Sequence, residues 1–416
     1  MTITKESVIL DTDPVSLFPE YAGSTPICKS NGANLFSHCQ IQGIDDALAM
    51  FYLLMNPKVK LTAVTLTHGN TNIDHVKRNA ETVLHVMRKQ REYLKQQEVP
   101  IEELPVLAIG SPTPLKADNL FATYFHGVDG MGDIYSKNPY WEDLAREGKP
   151  AYQTTERDAA DEILHQLKHA DPLSISILAV GPLTNIALAY QRDPVTFSRA
   201  KRVVVMGGAV DTPGNVTPMA EFNFRADPDA ADIVMNTSKG FQHSPEGYST
   251  RLKLIEQGKQ APMHVVVLPL SNDGAITKQE YQEKIVPVKT PVGELCNAFL
   301  IWTFEVCSKL YNIETLCPYD AYTALLLVDM ISDKGDGKNE SSDFNQNWES
   351  RYLDLHVETK GEYTLGMSCY DNRGWDLDTP AWGDEQQANH VQVIVRGNGP
   401  RFARIFLDSV FAVSVQ

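Results

Sequence analysis

Residues 8–14 read VILDTDP. A short apolar run delivers two carboxylates, Asp11 and Asp13, and a proline then ends it. A run of this length bounded by a turn residue reads as a buried strand. The pattern recurs in "KLTAVTLTHG" (60–69), "PVLAIG" (105–110), "ISILAVG" (175–181), "RVVVMGG" (202–208) and "HVVVLPL" (264–270). Helical patterns lie between these runs, at 43–55, 73–90, 158–170, 184–191, 227–236 and 293–310. Continuously apolar strands alternating with helices predict an α/β fold, Rossmann-like, with a mostly parallel central sheet flanked by helices on both faces. Ligands bind at the C-terminal strand ends of such sheets, so the polar residues just after each run carry the functional reading.

The chain has 416 residues, and no internal repeat or domain boundary divides it. A single domain over 1–416 is expected. A composition of 43% hydrophobic and 22% charged residues describes a soluble globular protein. The formal charge of −16 argues against nucleic acid or an anionic membrane as partner, because both want a basic face. No stretch is apolar for long enough to span a bilayer, and "MTITKESVIL" at the start lacks the apolar core of a signal peptide. The six cysteines are scattered without metal-site spacing. Free thiols in a reducing compartment fit that pattern, which places the protein in the cytoplasm. Towards the end, "SDKGDGKNESSDFNQNWES" (332–350) reads as a polar surface loop. "YLDLHVETKG" and "HVQVIVRGN" read as late strands, and "RFARIFLDSVFAVS" as a closing helix.

The next carboxylates after Asp11 and Asp13 to open a helix are Asp45 and Asp46, in "GIDDALAMFYLL". One acidic residue at a helix start is ordinary capping. Four converging carboxylates would repel one another, and a hard cation offsets that; oxygen-only donors suit Ca²⁺ or Mg²⁺. Three further stretches point the same way. "LAVGPLTNIALAY" (178–190) places a Gly-Pro turn after a buried strand, leaving the Val180 carbonyl directed out of the sheet end. "GGAVDTPGNVTPMAEFNFRADPDAA" (207–231) carries Asn215, Glu221 and Asn223 after another strand. "CPYDAYTALLLVD" (317–329) puts Asp320 at the head of an apolar helix. Each alone is turn and capping chemistry. Together they set carboxylates and amides at several strand ends of one sheet.

In this order, "DTDP…GIDDALA", "HGN", "HGVDGMGD", "GPLTNIA" and "GNVTPMAEFNFRADPDAA" resemble the inosine–uridine-preferring nucleoside hydrolases, from about Val8 to Asp329. The resemblance implies hydrolysis of the N-glycosidic bond of ribonucleosides, as in purine and pyrimidine salvage, with Ca²⁺ at the pocket floor. It implies a homodimer or homotetramer acting on a small-molecule nucleoside. By position, Asp13 would be the general base and a metal ligand. Asp46, Asp320 and the Val180 carbonyl would complete the metal's protein ligands. Asp45, Asn70 and Asn223 would hold the ribose 2′- and 3′-hydroxyls, Asn215 and Glu221 the 5′-hydroxyl, and Met206 would lie under the sugar. Family members often carry a histidine before the helix-opening aspartate, to protonate the leaving base. Here Tyr319 stands in that place. A phenol with a pKa near 10 is a weaker acid than imidazolium, so Tyr319 is a candidate acid, stacking group or packing residue. His126, in "YFHGVDGMGD", is the other candidate to contact the base. The family's aspartate after "PL" is replaced by Ser271. These departures leave the base preference open.

A larger departure splits the motif. Without residues 15–42 the sequence would read VILDTDPGIDDALAM, the family's unbroken form. The 28 intervening residues correspond to 84 nucleotides. They begin with Val15-Ser16, which a 5′ splice consensus can encode, and end with Gln42, which can be the acceptor CAG. Ala33-Asn34 can encode a branch point. The segment has no helical or alternating period, and it reads as a retained intron translated in frame, the rival being a lineage-specific loop. Either way, catalysis tolerates displaced ligands poorly, so the 416-residue form is expected to bind Ca²⁺ weakly and to be impaired.

Two rival functions remain at this stage. VILDTDP also suits a haloacid-dehalogenase-like phosphatase, which leaves "GPLTNIA" and "AEFNF" unexplained. A non-catalytic nucleoside-binding protein with a disrupted metal loop is the second.

Overall fold

The structure, a computed structural model, describes residues 5–14, 39–41, 44–120, 131, 134–144, 148–272, 274–333, 343–373 and 388–412. Among the described residues, nine strands form one sheet. Its order from edge to edge is Trp348–Leu353, Val391–Gly397, Val265–Leu268, Arg202–Met206, Ile175–Ala179, Glu6–Thr12, Val59–Leu66, Val106–Ile109 and Gln153–Thr154. Every adjacent pair is parallel except the first, where Trp348–Leu353 runs against Val391–Gly397. All six strands read from the runs quoted above are present.

The absence of alternation in those runs has a direct cause. On strand Glu6–Thr12, Val8 and Leu10 enter one apolar core while Ile9 enters the other. Val204 and Val205 on strand Arg202–Met206 divide in the same way. Helices Ile44–Met55, Tyr319–Ser332 and Gly399–Val410 contribute to the first core. Ala159–His169, Thr184–Arg192 and Pro228–Asn236 contribute to the second. A strand buried on both faces has no polar side to display.

The chain reverses direction at its first strand. From Glu6–Thr12 it moves outward through Val59–Leu66, Val106–Ile109 and Gln153–Thr154, then returns to lay Ile175–Ala179 on the other side of that strand. The loops after Glu6–Thr12 and Ile175–Ala179 therefore part in opposite directions and open a crevice at the sheet's C-terminal edge. Asp13 follows one strand and Val180 the other.

The interruption at 15–42 lies outside the described residues except for Cys39–Ile41. That short strand pairs in parallel with Thr315–Pro318, which leads directly into the helix bearing Asp320. The loop expected at 332–350 is narrower than its composition suggests. Residues 334–342 lie outside the described residues, while Asp343–Asn347 is helical and Trp348–Leu353 is the edge strand. Trp348 accounts for the difference: it is buried and packs 5.0 Å from Tyr322, an apolar anchor inside a polar stretch.

Candidate active site

The first strand ends in a buried polar turn. Thr12 Oγ1 donates to Asp46 Oδ1, and the Asp13 backbone N–H donates to the same oxygen at 3.0 Å. The two halves of the split acidic motif thus meet at hydrogen-bond distance. Asp45 and Asp46 occupy the first turn of Ile44–Met55, where a helix N-terminus favours negative charge. Asp320 occupies the first turn of Tyr319–Ser332, and its N–H lies 3.3 Å from Asp45 Oδ2. Carboxylate oxygens of Asp45, Asp46 and Asp320 come within 4.8 Å of one another.

Asp13 is gripped from two further loops. The Asn70 N–H donates to its Oδ2 at 2.7 Å. Gly69 and Gly181 press against its two carboxylate oxygens so closely that a Cβ on either would collide with them. Glycine in HGN and in GPL is therefore a requirement of close approach. Asp11, two residues earlier on the strand, accepts from Thr65 Oγ1 at 2.6 Å and Asn185 Nδ2 at 2.8 Å.

All five carboxylates, Asp11, Asp13, Asp45, Asp46 and Asp320, are buried. Burial, reinforced by the charge on Asp46, holds Asp13 well above the usual carboxylate range. Burial does the same to Asp320, with Asp45 the next cause. Burial lifts Asp46 to about 6 and Asp11 to about 7. Carboxylates this far from water need a cation to stay ionised together. Asp13 Oδ1, Asp46 Oδ2 and Asp320 Oδ1 are buried with no hydrogen-bond partner. Buried oxygens are rarely left so, and the clustered carboxylates of Asp45, Asp46 and Asp320, with Asp13 adjoining through its N–H to Asp46, offer the oxygen donors a hard divalent ion takes. The residues present fit such an ion.

The Val180 carbonyl accepts from Asn223 Nδ2 at 2.9 Å, which ties the loop after Ile175–Ala179 to helix Phe222–Ala226. The same Nδ2 lies 3.3 Å from the Met206 carbonyl and 3.4 Å from its sulfur. Asn70 is buried, and its Oδ1 has no partner. Asn215 and Glu221 are engaged differently. Asn215 Oδ1 accepts from the Phe222 N–H at 2.9 Å. The Glu221 carboxylate accepts from the backbone N–H groups of Asn223 at 2.7 Å, Gly208 at 2.9 Å and Phe224 at 3.1 Å. Tyr319 is buried and donates its hydroxyl to the Leu270 carbonyl at 3.2 Å. His126 lies outside the described residues.

Sequence reading missed a polar relay behind this site. Thr184 Oγ1 donates to Asp227 Oδ2 at 2.6 Å, and His68 Nε2 lies 2.9 Å from the same hydroxyl. Burial lowers the His68 pKa to about 4, so the ring is neutral. Thr12 and Asn185 were also missed, although each is a polar residue lodged within a quoted motif.

The family model described as "Inosine-uridine preferring nucleoside hydrolase" matches residues 42–404. The chain belongs to this family. The matched region begins at Gln42, the last residue of the interruption. Among nucleoside hydrolase relatives, "Probable uridine nucleosidase 2" of Oryza sativa subsp. japonica is 34% identical over 268 residues, 62% of this chain and 64% of that protein. "Inosine-uridine preferring nucleoside hydrolase" of Leishmania major is 36% identical over 196 residues, 47% of this chain and 55% of that protein. The matches thus span less than two thirds of the length of these relatives. Among solved structures, "Plant nucleoside hydrolase - PpNRh1 enzyme" superposes with a TM-score of 0.70 at 22% identity, covering 98% of this chain and 99% of that one. A purine-preferring ribonucleoside hydrolase from Gardnerella vaginalis gives 0.65 at 20% identity, covering 97% and 98%. These neighbours share the α/β fold. Among the described residues, no helix is long and apolar enough to cross a membrane.

Proposed function

We propose that this protein hydrolyses the N-glycosidic bond of ribonucleosides to ribose and free base, with Ca²⁺ as its cofactor. The observation that carries the reading is the buried cluster of Asp45, Asp46 and Asp320, whose carboxylate oxygens lie within 4.8 Å of one another, with the Asp13 N–H bonded to Asp46 beside it. Asp13, Asp46, Asp320 and the Val180 carbonyl would hold the ion. Its charge offsets the carboxylates and acidifies water within its reach.

The chain's own groups supply the rest. Asp13, fixed through Oδ2 by the Asn70 N–H, has Oδ1 left to take a proton from the water that attacks C1′. Asp45, Asn70 and Asn223 hold the 2′- and 3′-hydroxyls, and Met206 lies beneath the sugar. Losing a hydroxyl would leave buried polar groups unpaired, which selects ribose over deoxyribose. As the bond to the base breaks, positive charge develops on the ribose, and the buried carboxylates and amides stabilise it. Asn215 and Glu221 form the 5′ wall. Tyr319, whose hydroxyl is spent on Leu270, packs beside the base, and His126 contacts the leaving base.

The interruption enters as a cost of ordering. Lengthening the link between Asp13 and Asp45 several-fold costs about 2 kcal/mol in loop closure. The 416-residue form is therefore the weaker ion binder and the slower enzyme, and the form lacking 15–42 the competent one. The proposal extends to a single-domain cytoplasmic enzyme of nucleoside salvage, acting as a homodimer or homotetramer.

A reducing-sugar assay tests the reading on uridine, inosine, adenosine and cytidine, with both forms of the protein. Ribose release that depends on added calcium is expected, faster from the shorter form. Phosphate release from a phosphomonoester without ribose release from any nucleoside would overturn it.

A further inference from the structure

The loop that carries Asn215, Glu221 and Asn223 is fastened from outside by the C-terminal part of the chain. Four contacts make the fastening. Ala220 forms an antiparallel bridge with Met367. Gly366, at φ +84°, sits against the Arg225 backbone, where a Cβ would meet Arg225 Cα at 2.7 Å. Ser368 Oγ lies beside Gly208, where a Cβ would meet it at 2.9 Å. The fourth contact is a cluster. Asp211 takes one hydrogen bond from Arg351 and one from the Tyr370 hydroxyl, and the Arg351 guanidinium lies 4.8 Å from the centre of the Tyr370 ring.

Asp211 stands at φ 57°, a left-handed conformation that a non-glycine residue adopts at a cost. It lies four residues before Asn215 and three after Gly208, whose N–H is held by Glu221. Rotating Asp211 out of that conformation would redirect the loop between these two points. The loop's inner bonds, Asn215 to Phe222 and Glu221 to Gly208, close it upon itself but tie it to nothing outside. Its outer edge is pinned where Arg351, on the antiparallel edge strand, and Tyr370, beyond the Ser368–Cys369 strand, reach across to Asp211.

We propose that Asp211, held by Arg351 and Tyr370, is a positioning residue that sets the 5′ wall of the pocket and so tunes recognition of the nucleoside 5′-hydroxyl. This rests on the nucleoside reading of the site. The cluster is half exposed, so its effect is modest and falls on substrate affinity more than on chemistry.

Two variants test it. Asp211→Gly tolerates the left-handed backbone but removes the carboxylate, and Arg351→Met removes the charge while keeping bulk. Dissociation constants are measured by calorimetry for uridine or inosine, whichever binds more tightly, and for its 5′-deoxy analogue. Ribose release from the parent nucleoside is followed in parallel. Both variants should bind the nucleoside roughly three- to tenfold more weakly, with turnover at saturation within about twofold of the parent protein. The double variant should be no weaker than the worse single one. The 5′-deoxy analogue should bind parent and variants alike, because it lacks the group the wall receives. Equal weakening for both ligands, or no weakening for either, overturns the proposal, as does absence of nucleoside binding. Discriminating binding without ribose release would leave the latch standing and remove the hydrolase reading.

Discussion

The floor of the pocket and its 5′ wall are built from similar residues in opposite states. On the floor, Asp13, Asp46 and Asp320 each keep a buried oxygen without a partner. On the wall, Glu221 gives its carboxylate to three backbone N–H groups and Asn215 gives its oxygen to one. The floor is held by secondary structure, with one strand end and two helix starts meeting at the reversal of the sheet. The wall is a loop that must hold itself. Unsatisfied buried oxygens mark where an ion is to be received, whereas the wall's polar groups hold their own loop in shape while they face the sugar.

That contrast breaks most sharply at Asp13. Asp13→Asn should lower turnover by roughly 10²–10⁴-fold, the usual worth of a general base. The same change should raise the melting temperature of the ion-free protein, because it removes a buried charge while an amide oxygen can still accept from Asn70. A lower melting temperature would mean that Asp13 is scaffolding.

A second effect concerns pH. Asp11 and Asp46 have folded-state pKa values raised from 3.8 to about 7 and about 6. Their contribution to stability is full below about pH 4 and is lost as pH rises towards 7. Ion-free protein should therefore lose stability over that range, by roughly 4 kcal/mol from Asp11 alone. Thermal melts at pH 5 and pH 8, with chelator and with calcium, check this. Calcium should abolish most of the loss, since it stabilises the ionised forms.

Removing 15–42 sharpens the floor alone. The loop-closure estimate of about 2 kcal/mol converts to at most roughly 30-fold tighter calcium binding in the shorter form. The 5′ wall should be indifferent, so affinity for a 5′-deoxynucleoside relative to its parent should not change. The smallest effect is expected at the wall itself. Glu221→Gln leaves one of its backbone N–H groups poorly received and should cost about 1–3 kcal/mol of stability. Calcium affinity should stay within about twofold, and denaturant melts beside a calcium titration separate the two.

The same contrast explains what the sequence made legible. The six parallel strands were readable because burial on two faces writes continuous apolar runs; the point where the sheet order reverses was not, because strand order leaves no local pattern. Asp45, Asp46 and Asp320 were readable because each opens an apolar helix. Asp211, Arg351 and Tyr370 were not, since a contact between residues so far apart in the chain leaves no local period. Trp348 hid in a polar stretch for a related reason, because its partner Tyr322 lies on a helix some 26 residues earlier in the chain. The His68–Thr184–Asp227 relay was equally invisible, with each member looking like an ordinary cap or turn residue. Tyr319 precedes Asp320 in the chain, but the partner of its hydroxyl, Leu270, comes from a loop that spacing does not connect to it.

Calorimetric titration of calcium into the form lacking 15–42 tests the central claim most directly, because it asks whether the floor receives an ion. The account predicts one ion per chain, with more protons expelled at pH 6 than at pH 8, and loss of binding in Asp46→Ala and Asp320→Ala. No binding, or binding unchanged in both variants, would contradict it.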